Sequence, residues 1–100
     1  VKRRRVVFTP EARTDLFDIY DAIAVKAGLQ IAISYLERIE AYCLGLQLAS
    51  ERGHRRDDIC PGLRILGFER RVTIAIAVDD ATVTILRLFY GGQNWEDKFA

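Results

Sequence analysis

The stretch Arg71-Val72-Thr73-Ile74-Ala75-Ile76-Ala77-Val78, followed by Asp79-Asp80 and Ala81-Thr82-Val83-Thr84-Ile85-Leu86-Arg87-Leu88-Phe89-Tyr90, decides the fold class. Val72, Ile74, Ile76 and Val78 alternate with Arg71, Thr73, Ala75 and Ala77, the period-two signature of a half-buried strand. Asp79-Asp80 predicts a tight hairpin into a second strand, although it lacks the glycine that two-residue turns prefer. With those two residues as the turn, Val78 pairs with Ala81, Ile76 with Val83, Ile74 with Ile85 and Val72 with Arg87. Arg87 then closes an apolar row. Its charge must reach the end of the sheet, find an acid or face a ligand, because leaving it buried and unpaired is costly.

Upstream of this hairpin, Leu63 to Leu66 reads as a short strand, with Gly67 beginning a turn. Glu51 to Gly62 reads as loop, its periodicity broken by Gly53, Asp57, Asp58, Pro61 and Gly62. Before the loop the period changes to three and four. Thr9-Pro10-Glu11 supplies a capping hydroxyl, a first-turn proline and an acid facing the helix dipole. Ala12, Leu16, Ile19, Tyr20, Ile23 and Ala27 form the apolar stripe, with Arg13, Asp15, Asp18 and Asp21 on the other side. Gly28 stops that helix. A second pattern from Leu29 to Ser50 runs through Ala32, Tyr35, Leu36, Ile39, Tyr42, Cys43 and Leu46. A one-residue connection predicts an antiparallel helical hairpin. Arg5 to Thr9 reads as a strand. The expected fold is therefore α+β, one domain over 1–100, with an N-terminal short strand and helical hairpin packed on a C-terminal antiparallel sheet.

Composition sets further bounds. One hundred residues, 50% apolar and 29% charged, suit a single core. No apolar run approaches the roughly 20 residues needed to span a bilayer. Val1 to Phe8 places basic residues before apolar ones, but Pro10 and Glu11 end the apolar stretch too early for a signal peptide. A cytoplasmic protein without membrane attachment is expected, and the absence of methionine leaves either a removed initiator or a few residues missing before Val1. Cys43 and Cys60, in a chain without a cysteine framework, read as two free thiols. With His54 the sole histidine, no zinc-ligand spacing arises, and neither metal nor cofactor is expected. The net charge of +1 excludes an indiscriminate nucleic-acid binder. Its distribution is uneven: residues 52 to 71 carry six arginines against three acids, whereas residues 9 to 50 carry three Lys/Arg against six acids.

There is no Gly-rich phosphate loop, nucleophile elbow or paired-cysteine motif. The candidate residues are basic and aromatic: Arg55, Arg56, Arg64, Arg70, Arg71, Arg87, Tyr90 and Trp95. Guanidinium groups beside aromatic rings suit phosphate and base contacts, and equally suit ion pairs with an acidic protein. Ile33, Leu44 and Leu48 lie partly off the second stripe, either as scattered surface residues or as part of a groove for a partner helix. Arg64 has the alternative of pairing with an acid on a neighbouring strand, and Trp95 that of an apolar plug holding the tail.

Three segments carry a resemblance: Phe8-Thr9-Pro10-Glu11-Ala12 with Asp15-Leu16, Arg55-Arg56-Asp57-Asp58-Ile59-Cys60-Pro61-Gly62-Leu63-Arg64, and Val83-Thr84-Ile85-Leu86-Arg87-Leu88-Phe89-Tyr90-Gly91-Gly92. In order, spacing and length they resemble the RelE/ParE toxin superfamily, across nearly the whole chain. The resemblance implies a toxin of a type II toxin–antitoxin module, neutralised by a cognate ParD-like antitoxin. It leaves two mechanisms. A RelE-like toxin is a ribosome-dependent mRNA endonuclease, which here would use Arg71, Arg87 and Tyr90 without metal. A ParE-like toxin inhibits DNA gyrase and has no catalytic residues of its own. Beyond Gly91-Gly92, Gln93 to Lys98 contains neither the tyrosine nor the histidine common in the first branch. The Pro-Glu-Ala opening, the Pro-Gly-Leu-Arg segment and the Ile-Leu-Arg strand look more like the second. The expected target-binding residues are then Arg64, Arg87, Tyr90 and Trp95. Antitoxin contacts are expected at Ile33, Leu44, Leu48, Arg64 and Arg87.

Overall fold

The structure, a computed structural model, describes residues 3–48, 51–91 and 95–99. In chain order it contains β1 (Arg5–Phe8), α1 (Pro10–Ala27), α2 (Leu29–Leu44), β2 (His54–Arg55), β3 (Leu63–Phe68), β4 (Val72–Val78) and β5 (Thr82–Tyr90). Short 3-10 segments follow α2 at Gly45–Gln47 and close the described residues at Trp95–Phe99. The strands form one sheet in the order β1-β5-β4-β3-β2. Its four C-terminal strands pair antiparallel. The sheet is mixed because β1 joins β5 in parallel, Arg5 opposite Thr82 and Phe8 opposite Ile85.

The helices start and stop where the local chemistry directs. Thr9 Oγ1 accepts the Ala12 N–H at 3.0 Å, satisfying one of the donors a helix start leaves unpaired. The same hydroxyl donates to the Leu86 carbonyl at 2.8 Å, which ties the start of α1 to β5. Gly28 has φ 95°, a backbone open chiefly to glycine, and reverses the chain between the helices. The apolar stripes meet the sheet as expected: Ala12, Leu16, Ile19 and Ile23 of α1 and Ala32, Tyr35, Ile39 and Cys43 of α2 are buried in one cluster with Val72, Ile74, Ile76, Val83, Ile85 and Leu88. Ala27, placed on the stripe by its spacing, is exposed because the helix ends there. The regular part of α2 ends at Leu44, and the expected end at Ser50 lies outside the described residues.

Three features of the sheet depart from the sequence reading. The first is the hairpin register: Val78 pairs with Val83, Ile76 with Ile85, Ala75 with Arg87 and Ile74 with Leu88. Asp79 causes the shift. Its Oδ1 accepts the N–H groups of Ala81 and Thr82 at 2.9 and 2.8 Å, and its own N–H donates to the Thr82 carbonyl. The turn therefore takes in Ala81 as an aspartate-capped loop. A bulge then leaves Leu86 without a partner on β4. Beyond it Leu88 enters the helix-side core, while Phe89 joins a second cluster with Leu63 and Ala75. A bulge of this kind re-aims every later side chain.

Second, β3 runs through Gly67 to Phe68. The turn lies at Glu69 and Arg70, which have φ 49° and 60°, both central residues being left-handed as in the turns that match strand twist. Burial of Phe68, with its ring 5.7 Å from that of Tyr35 and 5.3 Å from that of Tyr42, carries the strand past the glycine. Third, the expected loop from Glu51 to Gly62 contains β2, whose His54 and Arg55 pair with Ile65 and Arg64. Gly53 permits this, since a Cβ there would collide with the Ile65 carbonyl.

The second cluster sits on the sheet face away from the helices, where Ile59, Ile65, Leu86 and Trp95 pack on Leu63, Ala75 and Phe89. Cys43 is buried and Cys60 exposed, each a free thiol. No described helix is long and apolar enough to cross a membrane.

Candidate functional site

Arg87 finds an acid. Its Nε and Nη2 donate to the two carboxylate oxygens of Asp15 at 2.7 and 3.0 Å, a bidentate pair of the strongest side-chain type. Asp15 Oδ2 also accepts the Leu88 N–H at 2.9 Å, and Asp15 is the buried charged residue of the described chain, 8% exposed. The Arg87 guanidinium lies 5.1 Å from the centre of the Phe89 ring. The hydrogen bond that Arg87 donates to Asp15 raises the Arg87 pKa, against the opposing effect of burial. The pair closes the outer edge of β5. That edge is covered by β1 only from Thr82 to Ile85, and beyond it Asp15 occupies an N–H that would otherwise invite another strand. From the helical pattern Asp15 counted among the polar, solvent-side residues. Only the charge of Arg87, which the expected register set at the end of an apolar row, signalled that it had to reach the sheet's end, an acid or a ligand; in the structure Arg87 lies opposite Ala75 and meets the acid.

The other expected site residues fall into separate places. Arg64 lies opposite Ile76, toward the end of the sheet that carries the Asp79 turn, and donates to the Arg52 carbonyl at 3.4 Å. No acid within 4 Å pairs with it among the described residues. With Arg4 and Arg55 it lines a cleft of about 250 Å³ that also holds Glu51, Asp79 and Asp80. Tyr90 lies opposite Val72 at the other end of the sheet. There it lines one hollow with Asp15 and Arg87, and a second with Arg71. Trp95 packs on the far face of the sheet, with the Arg56 guanidinium 5.2 Å from its ring centre. Arg56 is further held by Asp58 at 2.9 Å and Glu96 at 3.5 Å. Trp95 thus holds the C-terminal turn against the sheet. The residues after Gly91 on which the branch reading partly rests include Gly92, Gln93 and Asn94, outside the described residues.

The apolar candidates Ile33, Leu44 and Leu48 are 46%, 51% and 55% exposed, so they do stand outside the core. Leu44 and Leu48 flank the 3-10 turn whose Gln47 carbonyl accepts the Arg4 N–H. The apolar surface of α2 therefore continues toward the cleft of Arg4, Arg55 and Arg64. On the outer side of the hairpin, Phe17, 70% exposed, lines a groove with Arg13, Leu36 and Glu40. Phe17 was missed because one aromatic residue on a polar helix face gives no periodic signal. Among the described residues no group of three or more His, Cys, Asp or Glu side chains could hold a metal ion.

Comparison with known proteins agrees with this architecture. A search of curated proteins returned no match. Among solved structures the chain is similar to the chromosomal ParDE toxin–antitoxin system of P. aeruginosa, with 28% identity and a TM-score of 0.77 over 89% of this chain and 97% of that one. It shares its fold with a chain of the RelBE2 toxin–antitoxin complex of Mycobacterium tuberculosis, at 20% identity and a TM-score of 0.63, covering 93% of this chain and 97% of that one. The family model for the ParE toxin of the type II toxin–antitoxin system parDE matches residues 6–95. Spanning both helices, strands β2 to β5 and all of β1 but Arg5, that match places the chain in the ParE family of type II toxins.

Proposed function

We propose that this toxin inhibits DNA gyrase by binding it, and that a ParD-like antitoxin neutralises it by wrapping the helical hairpin. The observation that carries the choice of target is the Asp15–Arg87 pair. The alternative, ribosome-dependent cleavage of mRNA, needs Arg87 to stabilise charge on a phosphorane beside Arg71 and Tyr90. A guanidinium held by both oxygens of a carboxylate is part of a pair that is neutral as a whole and has its Nε and Nη2 donors taken, and freeing it would leave buried Asp15 without its counter-charge. Arg64, on the polar cleft, is the arginine better disposed to meet a macromolecule. For the antitoxin, exposed Ile33, Leu44 and Leu48 supply anchors for an amphipathic helix, and the adjoining Arg4, Arg55 and Arg64 meet acids that follow it. Arg87 takes part in either contact only through its position beside Asp15.

The test of this reading is a ribosome programmed with a defined message. The purified chain leaves the message uncut, and Tyr90→Phe retains full toxicity in cells, because it removes only a hydroxyl. Cleavage of the message that Tyr90→Phe abolishes would establish the ribonuclease instead. In a separate binding experiment, Leu44→Asp weakens the complex with the antitoxin while circular dichroism stays unchanged.

A further inference from the structure

At the end of the hairpin remote from the Asp79 turn, a cavity of about 340 Å³ opens between the helices and the sheet. Its polar wall is formed by Lys26, Tyr35, Arg38, Glu69, Arg71 and Tyr90, and Ile23, Ala27 and Ile31 supply an apolar side. The volume falls within the roughly 300–1,000 Å³ of small-ligand sites. Arg38 is consumed by Glu69, through hydrogen bonds of 2.9 and 3.1 Å. Lys26 and Arg71 form no ion pair among the described residues. With three cations against the one carboxylate of Glu69, the cavity wall thus carries an excess of two positive charges.

A second observation is independent of charge. Tyr35 is 5% exposed, and its hydroxyl has no hydrogen-bond partner. Buried polar atoms of this kind are rare and costly. The charged and phenolic groups that bear on it, Glu69, Tyr90, Arg71 and Arg38, all belong to the same cavity wall. Burial, with Glu69 next in effect, raises its pKa, so at neutral pH it keeps a proton to donate.

We propose that this cavity is a binding site for a small phosphomonoester whose dianionic phosphate is held by Lys26, Arg71 and the Tyr35 hydroxyl, and whose organic group rests on Ile23, Ala27 and Ile31. Charge selects this class over a carboxylate, which would neutralise only one of the two cations. The apolar wall selects an ester over inorganic phosphate. The site lies apart from the cleft of Arg4, Arg55 and Arg64, and its occupancy does not depend on gyrase being the target.

The experiment is an NMR titration of the isotope-labelled chain with phenyl phosphate, inorganic phosphate and benzoate at constant ionic strength. Phenyl phosphate gives saturable shifts at Lys26, Ala27, Ile31 and Tyr35 and binds more tightly than either other probe. Arg71→Gln weakens it about tenfold, the scale of one charged hydrogen bond. Tyr35→Phe weakens it severalfold while leaving the unliganded protein at least as stable, because the hydroxyl has no partner to lose. Shifts that never saturate, equal binding of benzoate, or an affinity unmoved by both substitutions overturn the proposal.

Discussion

Asp15 and Arg87 show how one charge can decide a local structure. Asp15 is tolerable in the interior because Arg87 is there, so removing Arg87 leaves a buried charge without compensation, whereas removing Asp15 leaves a half-buried guanidinium without its partner. Asp15→Ala also deprives the Leu88 N–H of its acceptor. It is expected to lower the unfolding free energy by about 3–5 kcal/mol, a large share of the roughly 5–15 kcal/mol available to a domain. Asp15→Asn keeps the acceptor and costs less. The double variant Asp15→Leu with Arg87→Met recovers the part of the loss that comes from the unpaired charge, though not the Leu88 N–H acceptor, and a urea denaturation cycle measures the coupling. Single-variant costs below about 1 kcal/mol would show the pair to be incidental. Cys43 offers a second test at this scale. Burial, with a smaller effect of Glu40, pushes its thiol up to about 12 from an ordinary 9.0. Between those values the folded state keeps a proton that the unfolded state loses. Stability therefore falls as pH rises through that window, by up to about 1.4 kcal/mol per pH unit. Urea midpoints at pH 8, 9 and 10 should decline, and less steeply in Cys43→Ala. At pH 8 a thiol reagent labels exposed Cys60 rapidly and reaches Cys43 only on denaturation.

Among the elements, the helices were legible in the sequence and the register of the final hairpin was not. Helix periodicity and capping residues are local, so Thr9, Pro10 and Gly28 placed the boundaries of α1 directly. The register depends on Asp79 turning back on Ala81 and Thr82, and on a bulge at Leu86 that serves contacts from another part of the chain. Thr9 donates to the Leu86 carbonyl and Asp15 grips both Arg87 and Leu88. These partners lie more than 70 residues away in sequence, beyond the reach of any periodic pattern. The β3–β4 turn was misplaced for a related reason: Glu69 and Arg70 accept left-handed backbone where glycine is the usual signal, and Arg38 on α2 holds Glu69 in place. The double role of Thr9 yields the prediction at this scale. Thr9→Ala removes both a helix cap and a strap on the bulge, and should cost about 1–2 kcal/mol. Thr9→Ser restores most of it. Equal stability of all three proteins in urea would mean that the hydroxyl is replaced by water without loss.

For the whole molecule, the hairpin presents apolar side chains outward as well as inward, and the sheet ends in a polar cleft where Arg4, Arg55 and Arg64 stand among three acids. Ile33, Leu44 and Leu48 were visible as residues off the buried stripe, whereas their continuity with Arg4, Arg55 and Arg64 required the tertiary structure. A ParE-family toxin with such a surface should gain stability from its antitoxin. In excess far above the dissociation constant, one binding site adds about 3–4 kcal/mol, read as a melting temperature that rises with antitoxin concentration. The proposed target rests on a different part of the molecule, the closed Asp15–Arg87 pair. The most direct measurement is DNA supercoiling by purified gyrase with the toxin titrated in. Inhibition of gyrase by this toxin predicts dose-dependent loss of supercoiling or accumulation of cleaved DNA, reversed by the antitoxin and weakened by Arg64→Ala. Undiminished supercoiling at a large molar excess of folded toxin, alongside cleavage of ribosome-bound message by the same preparation, would contradict it.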